Sequence, residues 1–257
     1  MVAQKVVAIS QARRSSTRLR EKILLPVLGQ PLLKHHLDRL SQARCISEYY
    51  VATTTADEDQ LIADLCREWR VPCFRGDMDD VLSRYALVVA ATEPDVVIRV
   101  TSDCPMLDPD VIDQMYEVFA EENYDYVGLD RGAFPHGLDC EIMTRAAFDA
   151  AAREATNPFE REHVTAFIYH HPDRFKIGML TQEGDYAAYR WTVDYPEDFT
   201  LVKAILEQVL PVNPAYGWRD VVDLLQGEPE LMALNIDAEQ RWHARLDQQR
   251  KASGISL

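Results

Sequence analysis

The sequence predicts an α/β fold of three layers, helix, sheet and helix, around a mostly parallel sheet. Three observations predict it. Short β-rich apolar runs alternate with amphipathic helical stretches through the first half of the chain, as parallel strands joined by crossover helices do. The 257 residues, 47% hydrophobic and 27% charged, suit one domain spanning residues 1–257, with no Gly/Ser-rich linker inside it. Polar loops follow the strands, where open sheets of the Rossmann-like kind bind their ligands.

The elements follow in order. Residues 6–9 form a first buried strand, and a polar basic loop occupies 10–22. Residues 31–43 form a helix with Leu33, Leu37 and Leu40 on one face. A second strand covers 49–53, and a helix over 57–69 carries the stripe Leu61, Ile62, Leu65 and Trp69. A short strand at 72–74, a helix at 80–92 and a β-branched strand at 95–100 come next. Asp108 caps a helix that opens with Pro109 and runs to Glu122, and a strand follows at 124–127. The second half is less regular. It reads as a strand at 141–143, a helix from the cap Thr144 to Ala155, a helix at 161–171, strands at 174–180 and 190–193, and a helix at 196–210. Residues 218–225 and 237–249 form a helical tail within 211–257, and 130–180 reads as an excursion from the domain.

Composition narrows the partners. Lys and Arg number 27 against 42 Asp and Glu, a net charge of −15, so a phosphate backbone is repelled and nucleic acid is not expected. Any bound nucleotide needs a local basic cluster that works against the global field. The five cysteines are odd in number and show no CxxC spacing, which argues against a disulfide framework or zinc ribbon and for a reducing cytoplasm. The start, from Met1-Val-Ala onward, lacks a signal-peptide layout, and apolar runs such as 86–91 are too short to span a bilayer.

The loop after the first strand meets the need for local charge. Arg13, Arg14, Arg18, Arg20 and Lys22 fall within ten residues, beside the hydroxyls of Ser15, Ser16 and Thr17. Arginine forks bind phosphate oxygens two at a time, lysine acts as a mobile point charge, and hydroxyl and amide groups supply further donors. The loop has neither GxGxxG nor GxxxxGK[ST], so it is neither a dinucleotide fingerprint nor a P-loop.

Gln11-Ala12-Arg13-x-x-Ser16-Thr17-Arg18-Leu19-x-x-Lys22-x-Leu24-Leu25-Pro26 resembles the nucleotide-binding signature of bacterial cytidylyltransferases. The nearest resemblance is to the spore-coat polysaccharide biosynthesis cytidylyltransferase-like family, related to CMP-Kdo synthetase and the acylneuraminate cytidylyltransferases. It continues through Val51-Ala-Thr-Thr-Thr55, Phe74-Arg-Gly-Asp77, Ile98-Arg-Val-Thr-Ser-Asp-Cys-Pro105, Gly137-Leu-Asp-Cys-Glu141, Arg161-Glu-His-Val-Thr165 and Arg190-Trp-Thr-Val-Asp194. The family usually has Pro-Gly where this chain has Arg20-Glu21, and often Met-Gly where it has Arg14-Ser15.

The resemblance implies a nucleotide-diphospho-sugar transferase type of fold. It also implies transfer of CMP from CTP to a sugar-type acceptor, with pyrophosphate released, in surface glycan biosynthesis. Arg13, Arg18 and Lys22 then hold the β- and γ-phosphates, with Gln11, Ala12, Ser16 and Thr17 completing the loop. Asp80 and Arg84 are candidates for the cytidine side. Asp103 and Asp194, each at a predicted strand end, match the family's metal aspartates and suit Mg²⁺, which takes one or two carboxylates and fills its other positions with phosphate oxygens and water. Asp139, Glu141, Arg161 and His163 match the acceptor pocket, although Arg161 and His163 also open a predicted helix and serve a structural reading as well. The relatives form dimers through the region after the fifth strand, which implies a homodimer here.

Other readings stay open. A guanylyl- or uridylyltransferase acting on a sugar 1-phosphate keeps the fold and changes the base. Asp77-Met78-Asp79 forms the DxD that metal-dependent glycosyltransferases use, or else acids complementing the helix that follows. His35, His36, His170 and His171 read as structural, and Cys104 as a small residue at a tight turn.

Overall fold

The computed structural model describes residues 4–253. Residues 1–3, part of the start read for a signal peptide, and residues 254–257 of the predicted tail lie outside the described residues. The elements run β1 (Val6–Gln11), β2 (Pro26–Val27), β3 (Gln30–Pro31), α1 (Leu32–Leu40), β4 (Glu48–Thr54), α2 (Gln60–Glu68), β5 (Cys73–Gly76), α3 (Val81–Thr92), β6 (Val96–Thr101), α4 (Pro109–Glu122), β7 (Tyr126–Leu129) and β8 (Cys140–Thr144). They continue through α5 (Arg145–Glu154), α6 (Pro158–His163), α7 (Ala166–Tyr169), β9 (Ile177–Leu180), α8 (Pro196–Val212), α9 (Trp218–Gly227), α10 (Pro229–Met232) and α11 (Ala238–Ala252).

Seven strands form one sheet in the order β5-β4-β1-β6-β8-β7-β9, and β8 alone among them runs antiparallel to its neighbours. The central strand β1 is buried from Val6 to Ser10, as expected of a parallel strand covered on both faces. Its alternate side chains divide between two cores. Val6 and Ala8, with Ile98 of β6, pack on Val111 of α4, Leu201 of α8 and Val221 of α9. Val7 and Ile9 pack on Leu82 of α3, Phe148 of α5 and Ile168 of α7. The period of two along one strand thus builds the three layers.

Helix ends follow their cap chemistry. Asp108 Oδ1 accepts from the Asp110 and Val111 amides, and its other oxygen accepts from the Trp218 amide at 2.7 Å, tying α4 to α9. Thr144 accepts from the Ala147 amide at 3.1 Å. No helix among the described residues is long and apolar enough to cross a membrane, and all five cysteines are free thiols.

Several expectations need correction. Residues 190–193 are not a sheet strand: Arg190 makes one isolated bridge to His136, and the stretch continues as extended chain held by Trp191 N–H to His136 O and Val193 N–H to Asp103 O, both 2.8 Å. The helix expected over 161–171 breaks into α6 and α7, because Val164 lies at φ 56 and ψ −57 in a tight turn closed by the Thr165 amide on His163 O, a positive-φ conformation that costs a β-branched residue about 1–3 kcal/mol. The strand expected at 174–180 covers only the four residues of β9, and the one expected at 124–127 shifts two residues on to β7. The β2–β3 hairpin lies between the loop read at 10–22 and the helix expected from residue 31, and it takes Pro31 from that helix's start.

Candidate active site

The basic loop is fixed from below before it can bind anything. The Ala12 amide donates to Ala52 O of β4 at 3.1 Å, and the Ser102 amide after β6 donates to Gln11 O at 3.3 Å. Asp59, fully buried, accepts from the Arg14 amide at 2.8 Å and from the Thr54 hydroxyl. Arg14 does not face the cleft: its guanidinium donates to Glu58 O at 2.6 Å and pairs with Glu21. Arg20 also turns away, 77% exposed and 3.9 Å from Glu58. Glu21, where the family has glycine, sits at φ 57 and ψ 22, so the turn keeps its left-handed shape without the residue that adopts it freely.

That turn delivers Lys22 to the centre of the site. Its Nζ lies 2.8 Å from Asp103 Oδ2, in the loop after β6, and 2.7 Å from Asp194 Oδ1, at the start of the turn into α8. Arg18 also pairs with Asp194. Burial opposes charge on all three of Lys22, Asp103 and Asp194, and their mutual attraction outweighs it. The Lys22 pKa is raised, Asp103 is held below the usual carboxylate range by the Lys22 charge, and Asp194 is held below it by Lys22 and Arg18. Both carboxylates are therefore ionised at neutral pH. Two oxygen donors converging on one cationic point suit a divalent ion such as Mg²⁺, which would complete its shell with phosphate oxygens and water. No group of three or more such ligands occurs among the described residues.

Asp194 owes its position to a buried network that sequence reading does not foresee. Asp198, fully buried in the first turn of α8, accepts from the Asp194 and Tyr195 amides at 2.9 and 3.0 Å, from Asn235 Nδ2 at 2.8 Å, and from Arg190 Nε and Nη2 at 3.2 Å each. Arg190 also donates to Asp194 Oδ2 at 3.2 Å and to Glu239 of α11 at 2.8 Å. Three carboxylates around one guanidinium raise its pKa in spite of its burial. Gly137 lies against this segment at φ +126, where a Cβ would stand 2.6 Å from the Trp191 ring and 2.7 Å from Thr192 N. The Gly137-Leu-Asp motif therefore needs its glycine for close approach.

The remaining candidates divide. Glu141 is clasped by Arg99, by the Tyr126 hydroxyl at 2.5 Å and by Thr165 Oγ1 at 2.6 Å. Asp139 pairs with Arg131 at 2.7 Å and accepts from the Gly137 amide at 3.1 Å; despite burial, Arg131 and His136 bring its pKa down to about 2. His163 lies tilted against Phe159 with ring centroids 4.1 Å apart, leaves Nε2 buried without a partner, and has its pKa lowered by burial to about 4. Arg161 and Asp80 meet each other instead of a cavity: Arg161 donates through Nε and Nη2 to Asp80 Oδ2 at 2.8 and 2.6 Å, while Asp80 caps α3 through the Ser83 amide. Buried Arg84 donates to the carbonyls of Asp77 and Met78, and Asp77 Oδ1 accepts from the Asp79 and Asp80 amides, so the DxD forms the turn into α3. His36 bonds Ser10 Oγ and Cys104 O, which makes it a brace between β1 and the Asp103 loop.

Two cavities meet at this centre. The smaller, about 180 Å³, is bounded by the basic loop at 11–13 and 15–18, by Lys22, Arg84 and Ser102, and the buried Ser15 hydroxyl beside it has no partner. The larger, about 630 Å³, takes in Asp139, Glu141, His163, Asp194 and Arg131. Gln11, Arg13, Arg18 and Asp103 border both. Of the residues read from sequence, Gln11, Ala12, Arg13, Ser16, Thr17, Arg18, Lys22, Arg84 and Asp103 thus gather on the smaller side. Arg99, with its Glu141 partner, stands in the quoted Ile98-Arg-Val run but is hidden there by strand patterning.

The sequence profile described as cytidylyltransferase matches residues 7–216. The chain is 28% identical to the spore coat polysaccharide biosynthesis protein SpsF of Bacillus subtilis, over 88% of this chain and 95% of that one. It is 32% identical to a 3-deoxy-manno-octulosonate cytidylyltransferase of Geobacter metallireducens, over 43% of this chain and 42% of that one. Among solved structures, a cytidylyltransferase from Leptospira borgpetersenii superposes with a TM-score of 0.84 at 27% identity, covering 89% of this chain and 97% of the other.

Proposed function

Because the chain belongs to the cytidylyltransferase family, we propose that it transfers CMP from CTP to a hydroxyl of an acidic 2-keto sugar, for a surface glycan. The observation that supports this most is the Lys22 ammonium, held 2.8 and 2.7 Å from two ionised aspartates where a basic-loop cavity meets a larger polar one. The smaller cavity has the donors a triphosphate needs: Arg13, Arg18, Lys22 and the Ser15 hydroxyl. The larger has the volume and the mix of acids and arginines that a sugar acid needs, with Asp139 and Glu141 to accept from hydroxyls.

An acceptor oxygen at the boundary attacks the α-phosphorus. A new phosphorus–oxygen bond forms as the bond to the pyrophosphate oxygen breaks, and the hydroxyl proton passes to water. Arg13, Arg18 and Lys22 neutralise the departing pyrophosphate, so positioning and charge compensation carry the rate. A Mg²⁺ ion, when bound by Asp103 and Asp194, adds charge neutralisation at the phosphates. Asp103 and Asp194 stay ionised and serve as anionic anchors, not proton donors. A homodimer belongs to the proposal on the family resemblance and a cytoplasmic setting on the cysteine pattern, and light scattering tests the first.

Pyrophosphate release, followed with CTP, GTP, UTP and ATP against Kdo, N-acetylneuraminate and sugar phosphates, tests the reaction. CTP with a sugar acid is the expected pair. Lys22→Ala is expected to lower turnover by at least roughly 100-fold, the scale of losing one charged transition-state donor, while the melting transition persists. Near-wild-type turnover in that variant overturns the assignment.

A further inference from the structure

Helix α11 lies beyond residues 7–216, the span the family profile matches, yet it forms part of both cavity walls. It is fastened over the cleft at several points. Glu239 accepts from Arg190 at 2.8 Å and lies 2.7 Å from His136 Nδ1, Trp242 packs under Arg131 at 4.6 Å, and Asn157 donates to Ser253 O at 2.8 Å. The half-buried face of the helix is Trp242, Arg245, Leu246, Gln249 and Arg250, at the spacing of one helical stripe. Two of those five positions are arginines.

Arginines on a docked stripe are normally paired. Arg99 and Arg131 nearby are, with Glu141 and Asp139. The side chains of Arg245 and Arg250 form no ion pair or hydrogen bond among the described residues, and Arg250 Nε is buried without a partner. Their locations differ. Arg250 borders only the larger cavity, whereas Arg245 borders both, facing the space enclosed by the basic loop, Lys22 and Asp103.

We infer that Arg245 is a ligand of the nucleotide's β- and γ-phosphates, supplied from the C-terminal helix across the cleft from the basic loop. The inference rests on the nucleotidyl-transfer reading of the site. It gives the chain a clamp with one jaw after the first strand and the other near its end, and it makes triphosphate binding depend on a segment outside the matched span.

Calorimetric titration of the full chain with CTP and with CMP, both with Mg²⁺, tests it without any acceptor. Arg245→Ala is expected to weaken CTP roughly 10- to 100-fold, the range for a hydrogen bond to a charged group, and to change CMP by less than about threefold. Arg245→Lys should recover part of the CTP loss, and Arg250→Ala should leave CTP affinity unchanged. Unaltered CTP affinity in Arg245→Ala overturns the inference. So does an equal loss for CTP and CMP, or a matching loss in Arg250→Ala, since either marks a helix that has come loose. Wild-type binding of GTP or UTP in place of CTP overturns the cytidylyl reading alone, and the variant is then measured with that triphosphate. A wild type that binds no triphosphate overturns both.

Discussion

Asp198→Asn isolates the network that positions Asp194. The substitution keeps the shape of the side chain, removes its charge and turns one accepting oxygen into a donor. That donor faces a shell made entirely of donors: two amides, Asn235 Nδ2 and two nitrogens of Arg190. Asp198 is fully buried and the Arg190 side chain is 2% exposed, so water cannot compensate. Breaking a buried ion pair by removing one partner costs about 3–5 kcal/mol. Arg190 retains Asp194 and Glu239, which places the expected loss at the low end, about 3 kcal/mol. For a chain near this size, each kcal/mol moves the melting temperature about 2–4 °C, so scanning calorimetry should show a fall of roughly 6–12 °C. Urea unfolding should give the same loss as a midpoint shift of roughly 1 M for a slope near 3 kcal/mol/M. A fall below about 2 °C with an unchanged denaturant slope would refute the view that this network is a buried, fully used charge cluster.

Two other perturbations follow from local geometry. Glu21→Gly removes a left-handed penalty of about 1 kcal/mol and loses the Arg14 pair, which at partial exposure contributes little, so stability should be unchanged or rise by up to about 1 kcal/mol in urea unfolding. A clear drop would show the pair to be what shapes the loop. Burial lowers the pKa of His36 from 6.5 to about 4. The unfolded chain therefore takes up a proton below pH 6.5 that the folded chain accepts only near pH 4, and stability is full above 6.5 and lost as the pH falls. Between pH 7 and pH 5 the expected loss is about 2 kcal/mol from His36, with His163 acting in the same direction. His36→Gln should flatten that slope, and an unchanged slope in the variant would rule His36 out as its source.

What could be read from sequence depended on how local the cause was. The β1 run and the Asp108-Pro109 cap each declare themselves within a few residues and lie where pattern alone put them, whereas of the five cations of the basic loop only Arg13, Arg18 and Lys22 border the smaller cavity. The 190–193 stretch misleads because Trp-Thr-Val has strand composition, while its backbone partners are single residues in two distant loops. The break at Val164 could not be foreseen from propensity, since a β-branched residue is among the last expected at positive φ. Arg161 and Asp80 read as ligands from opposite sides of a pocket, and they proved to be each other's partner. Arg245 escaped because α11 is polar on almost every face, so its docked stripe shows no apolar period to find.

The reversed direction of β8 has a consequence for how such an enzyme can change. Along the parallel strands, the residues at the ligand rim are those that come after the strand: the basic loop after β1 and Asp103 after β6. In β8, Cys140 pairs with Val100 at that same rim, so the residues delivered there are those that come before it, from Gly137 to Asp139. No residue of that stretch borders the smaller cavity. Insertions or exchanges between β7 and β8 can therefore redraw that wall of the larger cavity while the basic loop after β1 and the Asp103 loop after β6 stay as they are.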